Sequence, residues 1–310
     1  MDLRQLRAFM IVAETGNVTR AAELLNLVQP AVSRQLRLLE EDLGVPLFER
    51  ERHGMILTES GKALLVYARR ATLELDRAQA EIGRSAQGIT GLVTVGLLPS
   101  TAEVIASPLV HSVHKQYPGI RMRIAMGYAG TLQQWLETGE IDAAVLYGVE
   151  RSPHIDSKPL LEEALWVVGP ASARLRRQRP MPLAKLTGMP VILPNGPHGL
   201  RTLVDHACAV ANVELTIASE TNAMSIQKSL VLGGHGFTVL PPIAFAAELA
   251  SKQVSATPLT EPRITRTIVL ALPANRVVGA PVRRAVDLLV TCIEDAVRRG
   301  RWPEANWIAK

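Results

Sequence analysis

The first sixty residues carry apolar side chains at the spacing of amphipathic helices. Apolar positions recur every three or four residues over 3–13 and again over 21–25, which predicts two helices separated by Gly16-Asn17. Thr19 is expected to cap the second of them. The small side chains Ala21 and Ala22 would let a crossing helix approach closely. The pattern therefore predicts two short helices that pack against a third.

The third helix is predicted from Gln29 as its cap, through Pro30 as its first residue, to about residue 41. Its buried stripe is expected at positions 32, 36 and 39, so the polar side chains point elsewhere. Gln and Arg make bidentate contacts with base edges, and Ser and a helix N-terminus contact phosphate. This helix thus suits the major groove. The predicted DNA-binding residues lie on this third helix and on the second helix before it. They are Thr19, Arg20, Gln29, Pro30, Ser33, Arg34 and Arg37.

Residues 50–58 are predicted to form a small hairpin that turns near His53-Gly54. Its Arg50 and Arg52 would lie along the DNA backbone as part of a wing. Two helices joined by a tight turn also occur in many all-α proteins. On this pattern alone, DNA binding and plain helix packing both stay open.

Residues 1–62 as a whole resemble the winged helix-turn-helix of LysR-type transcriptional regulators. The matching stretches are residues 3–9, 19–25, 29–35, 38–40, 43–50 and 57–61. One departure is Val28, where the family commonly has Ser. Valine removes a phosphate contact or a helix cap, so we expect a weakened DNA site.

The next segment, from Thr58 as a cap to about residue 86, contains no proline and predicts one long helix. Apolar and small side chains follow a nearly heptad spacing along it. They are Leu64, Tyr67, Ala71, Leu75, Ala78 and Ile82. The helix either packs along its own chain or pairs with a second copy, which would place two recognition helices in successive grooves. The resemblance implies dimerisation through this helix.

After residue 88 the pattern changes to alternating strands and helices. Strands are predicted at 92–96, 120–126 and 141–147, with helices at 103–117 and 132–138, an order typical of a parallel sheet with a ligand crevice. A second unit is predicted from strands at 164–168, 191–193, 215–217 and 236–241, with a helix after His198. Residues 268–272 and a helix at 282–298 are expected to return to the first unit. Two lobes joined by crossing strands would form a cleft and a hinge.

These segments resemble the family's periplasmic-binding-protein-like effector domain, and details of the cleft resemble the nitrogen-assimilation-control branch. The matching stretches are residues 91–96, 117–119, 136–144 and 231–241. The predicted fold is an α+β winged helix-turn-helix domain (1–58), a dimerisation linker helix (59–88) and an α/β effector domain of two lobes (89–310). Lobe 1 is expected at about 91–160 and 268–310, and lobe 2 at about 161–267.

Candidate effector contacts are hydroxyl, amide and basic side chains beside predicted helix N-termini at the strand ends. The resemblance implies effector contact at the first pair, Ser100 and Thr101. The full set is Ser100, Thr101, Thr131, Asn195, His198, Arg201 and Asn222. Each is equally well explained as a helix cap or turn residue. Together they would suit an anion such as a carboxylate.

Composition and charge exclude several other classes of protein. Residues 1–88 hold 12 basic and 12 acidic side chains, so the net charge of +5 comes entirely from the rest of the chain. Cys208 and Cys292 cannot form a disulfide framework, and apolar runs are too short for a membrane span. His111 and His114 lack metal-ligand partners at suitable spacing. We expect a soluble cytoplasmic protein that needs no metal or cofactor.

The sequence therefore predicts a transcription regulator that binds double-stranded DNA and responds to a small-molecule effector. Homodimers or homotetramers, and contact with RNA polymerase, follow from the resemblance. Nucleophile-elbow, phosphate-loop and dinucleotide-binding motifs are missing from the sequence, which argues against an enzyme. The alternatives are an architectural DNA-binding protein with no effector and, more remotely, an enzyme with an appended DNA-binding segment.

Overall fold

The computed structural model describes residues 1–51, 54–82, 88–148, 152–274 and 278–309. At residues 50, 73, 76, 77 and 79–82 it describes the backbone alone. The chain divides into two compact units, Met1–Gly91 with Thr138–Glu140 and Leu92–Glu137 with Ile141–Lys310.

The described residues of the first unit form four helices and a two-stranded hairpin. The elements are α1 (Leu3–Thr15), α2 (Val18–Leu25), α3 (Gln29–Leu43), β1 (Phe48–Glu51), β2 (Gly54–Leu57) and α4 (Glu59–Ile82). The helical periodicity predicted from the sequence is confirmed, because Phe9, Val32 and Leu39 are fully buried in a shared core. The α1 helix begins with a capping box, in which the Asp2 carboxylate and the Gln5 side chain each accept the other's backbone N–H.

Two helix starts differ from the prediction. Asn17, and not Thr19, caps α2, since its Oδ1 accepts the backbone N–H groups of Thr19 (2.8 Å) and Arg20 (3.1 Å). The α3 helix begins one residue early, with Val28 at the cap position and Pro30 as the second helical residue. Proline fits there because the backbone N–H groups of the first turn have no partner inside the helix. Val28 supplies no side-chain cap.

The hairpin forms as predicted and packs on the end of α1. Strands β1 and β2 are antiparallel, with Phe48 opposite Leu57. Met55 donates its backbone N–H to the Gly16 carbonyl (2.8 Å), and a Cβ on Gly54 would lie 2.4 Å from that same oxygen. Glycine at position 54 is therefore required by the close approach of the two backbones. Of the predicted turn residues His53 and Gly54, Gly54 opens β2, and His53 lies outside the described residues.

The long helix α4 begins as predicted, because Thr58 Oγ1 accepts the backbone N–H of Gly61 (2.9 Å). Ala68 and Thr72 are buried on the side of α4 that packs against α1. The predicted seam lies on other faces, and four of its members are exposed. These are Tyr67, Ala71, Leu75 and Ala78. Leu64 is half-buried, and the Ile82 side chain lies outside the description.

The second unit is an α/β structure of two lobes. Its first lobe contains β3 (Gly91–Leu97), α5 (Pro99–Gln116), β4 (Ile120–Met126), α6 (Ala129–Thr138), β5 (Ala143–Tyr147), β6 (Ile155–Ala164), β13 (Thr265–Pro273), α10 (Ala280–Arg298) and β14 (Ala305–Trp307). Its second lobe contains β7 (Trp166–Pro170), β8 (Met181–Pro182), β9 (Pro190–Leu193), α7 (Gly199–Ala211), β10 (Thr216–Glu220), α8 (Met224–Leu232), β11 (Thr238–Leu240), α9 (Ala246–Ala250) and β12 (Val254–Thr260).

The first lobe is built on a six-stranded sheet in the order β14-β6-β13-β5-β3-β4. Strands β3 and β5 are parallel as predicted, whereas β13 is antiparallel to both β5 and β6. The sheet is mixed because β6 leads out of this lobe and β13 leads back into it. The second lobe holds a four-stranded sheet, β11-β7-β12-β8, and the parallel pair β10-β9.

The crossing strands β6 and β13 extend beyond the predicted lobe limits at residues 160 and 268. Their register places Arg266 directly opposite Glu163. The α5 helix starts at Pro99, four residues earlier than predicted, which puts Ser100 and Thr101 in its first turn. Strands β6 and β12 and helix α8 were not predicted as such. In the described part of the chain, no helix is long and apolar enough to cross a membrane.

Candidate DNA-binding surface and effector cleft

The outer face of α3 presents the polar side chains that the sequence predicted. Gln29, Pro30, Arg34 and Arg37 are exposed, while Val32 and Leu36 on the opposite side are buried. Ser33 is half-buried, and its hydroxyl accepts a hydrogen bond from Gln29 Nε2 (2.9 Å).

The neighbouring cationic side chains differ in their pairing. Arg20 is exposed on α2 and contacts Glu23 at 2.8 Å, and Thr19 beside it is also exposed. Among the residues the structure describes, neither Arg34 nor Arg37 forms an ion pair, and both side chains are exposed. Only the backbone of Arg50 is described, in β1, and Arg52 lies outside the described residues.

Glu40, near the end of α3, connects this helix to the hairpin. Its Oε1 accepts the backbone N–H groups of Leu47 (2.7 Å) and Phe48 (3.3 Å). Both donors lie at the start of β1, and their side chains are buried. The carboxylate thereby fixes the position of the hairpin relative to α3. The sequence analysis did not identify this contact.

The second unit contains a cleft between its two lobes, with about 420 Å³ of empty space including its open mouth. The first lobe contributes the start of α5 and single residues from the strands and their ends, and the second lobe contributes residues from α7, α8 and the segments beside them. The lining residues are Leu98, Pro99, Ser100, Tyr128, Tyr147, Pro194, His198, Leu200, Thr221, Met224, Gln227, Leu240, Pro241 and Arg266. Most of this lining is apolar or aromatic.

Arg266 is the centre of a buried polar network in the wall of the cleft. Its guanidinium binds Glu163 Oε1 through Nε (2.7 Å) and Nη2 (2.6 Å), and Nη2 also donates to Ser100 Oγ (3.2 Å). The second carboxylate oxygen of Glu163 accepts the indole N–H of Trp302 (2.8 Å). The guanidinium carbon lies 4.4 Å from the ring centroid of Tyr147. Burial is the main reason that the pKa of the Tyr147 phenol is raised, so the phenol stays protonated near neutral pH.

Tyr128 of the first lobe contacts the second lobe across the cleft. The phenol oxygen of Tyr128 accepts the backbone N–H of Met224 (2.9 Å), and the Tyr128 ring meets the edge of the His198 ring at 4.6 Å between centroids. His198 Nδ1 also accepts the N–H of Leu200 (3.2 Å) and so caps α7. Burial, followed by the charge of Arg266, lowers the pKa of His198, which favours the neutral imidazole.

Two of the predicted effector residues, Ser100 and His198, line this cleft. Thr131 and Asn222 instead line an adjacent, more open groove of about 940 Å³ that shares Pro99, Tyr128 and Met224 with the cleft. The two spaces are thus neighbours separated by the contact between Tyr128 and Met224.

The other three predicted residues do not line the cleft. Thr101 is fully buried and donates its hydroxyl to the Leu98 carbonyl (2.9 Å) within the first turn of α5. Arg201 is bound by the carboxylates of Asp205 and Glu220, and Asn195 is exposed in the turn before α7. The recorded contacts of Thr101 and Arg201 serve local structure.

Sequence reasoning missed Arg266, Tyr147 and Gln227 as cleft residues. Arg266 lies two residues before the predicted strand at 268–272, and the available signal was its position next to that apolar run, because a charge that is buried when the strand extends needs a partner. Tyr147 and Gln227 carried no comparable signal, since each looks like an ordinary strand or helix residue.

Comparison with known proteins identifies the two units. The family described as bacterial regulatory helix-turn-helix protein, lysR family, matches residues 3–62, and the LysR substrate binding domain matches residues 86–291. The transcriptional dual regulator GltC of Bacillus subtilis is 31% identical over 89% of this chain and 92% of its own length. The regulator BbuR of Bordetella bronchiseptica is 29% identical over 98% and 93%, and the nitrogen assimilation regulatory protein nac of Klebsiella aerogenes is 29% identical over 94% and 95%.

Solved structures share the fold over nearly the whole chain. CbnR, a LysR family transcriptional regulator, superposes with a TM-score of 0.72 at 23% identity, covering 94% of this chain and 99% of its own. A full-length OxyR variant from Pseudomonas aeruginosa gives 0.69 at 24% identity, with 95% of each chain covered. The chain therefore belongs to the LysR family, and it is a DNA-binding transcriptional regulator with an N-terminal helix-turn-helix and a two-lobed effector-binding domain.

Proposed function

We propose that this regulator reads its operator through the outer face of α3. The observation that carries the proposal is the exposed pair Arg34 and Arg37, which have no carboxylate partner among the described residues and lie on a helix anchored by its opposite face. Gln29, Pro30 and Ser33 lie at the N-terminal end of that face, where a recognition helix approaches base edges. Thr19, Arg20 and the hairpin arginines Arg50 and Arg52 would contact the DNA backbone.

Dimerisation through α4 supplies the second half of the site. Tyr67 and Leu75 are 66% and 46% exposed in the single chain, and Ala71 and Ala78 continue the same seam. A partner helix would cover these apolar side chains and bring two copies of α3 to successive major grooves. Homodimers, or homotetramers built from them, would act in the cytoplasm beside RNA polymerase.

The cleft in the second unit would hold the small-molecule effector. Its apolar lining, with a few polar groups that converge from both lobes, is typical of a small-molecule site. The contacts of Tyr128 with His198 and Met224 join the lobes, so a ligand between them would alter lobe closure. We infer a regulatory and not an enzymatic role for this cleft.

Footprinting on DNA fragments taken from around the regulator's own gene tests the DNA-binding proposal. Arg34→Ala should weaken operator binding by about 1–3 kcal/mol, with the fold unchanged by circular dichroism, because a bidentate base contact is lost. Arg176→Ala is the matched control, since Arg176 is also an exposed arginine but lies in the second unit. Unchanged operator affinity in Arg34→Ala would remove Arg34 from the base-reading surface.

A further inference from the structure

We propose that the effector is a small uncharged molecule, with an apolar or aromatic body and a carbonyl or amide group, and not an organic anion. This inference rests on the proposed role of the cleft as the effector site. It is supported by the pairing of Arg266, the one charged side chain that the described residues place in the cleft wall, with Glu163, and by Trp302, which holds Glu163 in place.

Arg266 is the only cleft-lining residue of the described chain that carries a full charge near neutral pH. The other ionisable side chains of the lining are His198 and the tyrosines. The lowered pKa of His198 and the raised pKa of Tyr147 keep both of these groups neutral. Among the described lining side chains, Arg266 alone could therefore supply a full opposite charge to an anionic ligand.

The positive charge of Arg266 is already matched by Glu163. The two side chains are only 5% and 0% exposed, and the carboxylate binds two guanidinium nitrogens at 2.6 and 2.7 Å. Glu163 does not line the cleft, and the indole N–H of Trp302 holds its other oxygen. Because both oxygens are bound, the carboxylate cannot swing away without losing hydrogen bonds on both sides.

A bound carboxylate would bring a second negative charge to a guanidinium that holds one already. It would either remain largely unpaired in an apolar cavity or displace Glu163 and leave that carboxylate buried without a partner. Like charges brought together at an interface are strongly unfavourable. A neutral ligand avoids both costs.

The polar groups that remain in the cleft suit a neutral amide or carbonyl. Ser100 Oγ accepts from Arg266, so its own proton is free to be donated to a ligand carbonyl. Gln227 donates its side-chain N–H groups to the Ile192 carbonyl and to Thr238, which leaves its carbonyl oxygen as an acceptor for a ligand N–H. Leu98, Leu200 and Leu240 supply an apolar surface for the rest of the molecule.

Matched pairs of primary amides and carboxylic acids with the same carbon skeleton, benzamide and benzoate among them, test the inference on the full chain. Amides that bind are identified by thermal shift, and their dissociation constants are then measured by calorimetric titration. Each amide that binds should do so at least about tenfold more tightly than the acid with the same carbon skeleton. Acids that bind as tightly as their amides would overturn the inference, and so would a set in which no amide binds.

Variants of the ion pair provide the decisive control. Glu163→Gln leaves Arg266 uncompensated, so acids should now bind at least about tenfold tighter than they do to the wild type. Ser100→Ala keeps the ion pair, and it should weaken amide binding while the acids stay excluded. Acids that bind no tighter to a folded Glu163→Gln protein would contradict the charge argument. If that variant does not fold, Ser100→Ala alone decides, and acid binding by it would overturn the inference.

Retardation of operator DNA by the same wild-type preparations separates this inference from the proposed function. A wild type that binds its operator but prefers acids refutes only the neutral effector. A wild type with no specific DNA binding refutes the proposed function whichever ligands bind.

Discussion

Removing the Glu40 carboxylate should loosen the hairpin from the recognition helix. In Glu40→Ala the backbone N–H groups of Leu47 and Phe48 lose their acceptor. A hydrogen bond to a charged group contributes about 1.5–3 kcal/mol, but Glu40 is half-exposed and the contact to Phe48 is long at 3.3 Å. We therefore expect a local loss of about 2 kcal/mol, which corresponds to about a 30-fold rise in opening.

Hydrogen exchange of the full chain measures this opening directly. The amides of residues 47 and 48 should exchange about 30-fold faster in Glu40→Ala, and operator affinity should fall because the hairpin is displaced. Glu40→Gln keeps an acceptor oxygen and should show a smaller change. Glu41→Ala removes an exposed neighbouring carboxylate and should show none. Exchange in Glu40→Ala that matches Glu41→Ala would refute the tether.

Three further predictions concern single side chains. Val28→Ser should supply the missing cap of α3, stabilising the helix by about 0.5–1 kcal/mol and tightening operator binding in retardation assays. The pKa of His198 is lowered below 6.5 in the folded protein, so the neutral imidazole contributes stability that is present above pH 6.5 and lost on acidification. His198→Asn keeps an acceptor at the cap of α7 but does not titrate, so its melting temperature should fall less steeply as the pH is lowered. Thr101→Val should lower only the melting temperature, whereas Ser100→Ala should also weaken ligand binding in titrations.

The helices of the DNA-binding unit could be predicted because their signal is local. Apolar residues at helical spacing in α1 and α3 identify both the buried stripe and, by exclusion, the polar face that would contact DNA. The α2 cap was assigned to the wrong residue because Asn17 and Thr19 are both good capping residues. Gly16, with φ of +62°, ends α1 so tightly that Asn17 is already in the cap position. The sequence contains both candidates, and the path of the chain between the two helices determines which of them caps α2.

The second unit was predicted less completely because its strands pair over long distances. Strand β6 pairs with β13 and β14, which follow it by about a hundred residues or more, and neither its apolar residues nor its burial alternates along the strand. The early start of α5 has a different cause, since Pro99 was not recognised as a first helical residue. That shift of four residues determines which hydroxyl group reaches the cleft, because it places Ser100 in the lining and buries Thr101.

The balance of charge in the cleft wall depends on Glu163, which does not itself line the cleft. Counting hydroxyl, amide and basic side chains near predicted helix starts indicated an anion site, and Arg201 was the one arginine in that set. In the structure Arg201 is neutralised by Asp205 and Glu220, and the arginine that does line the cleft is neutralised by Glu163. Glu163 is separated from Arg266 by 103 residues and from Trp302 by 139, and no local pattern connects them. Ligand class in such a cleft therefore follows from how its charges are paired, which only the assembled strands determine.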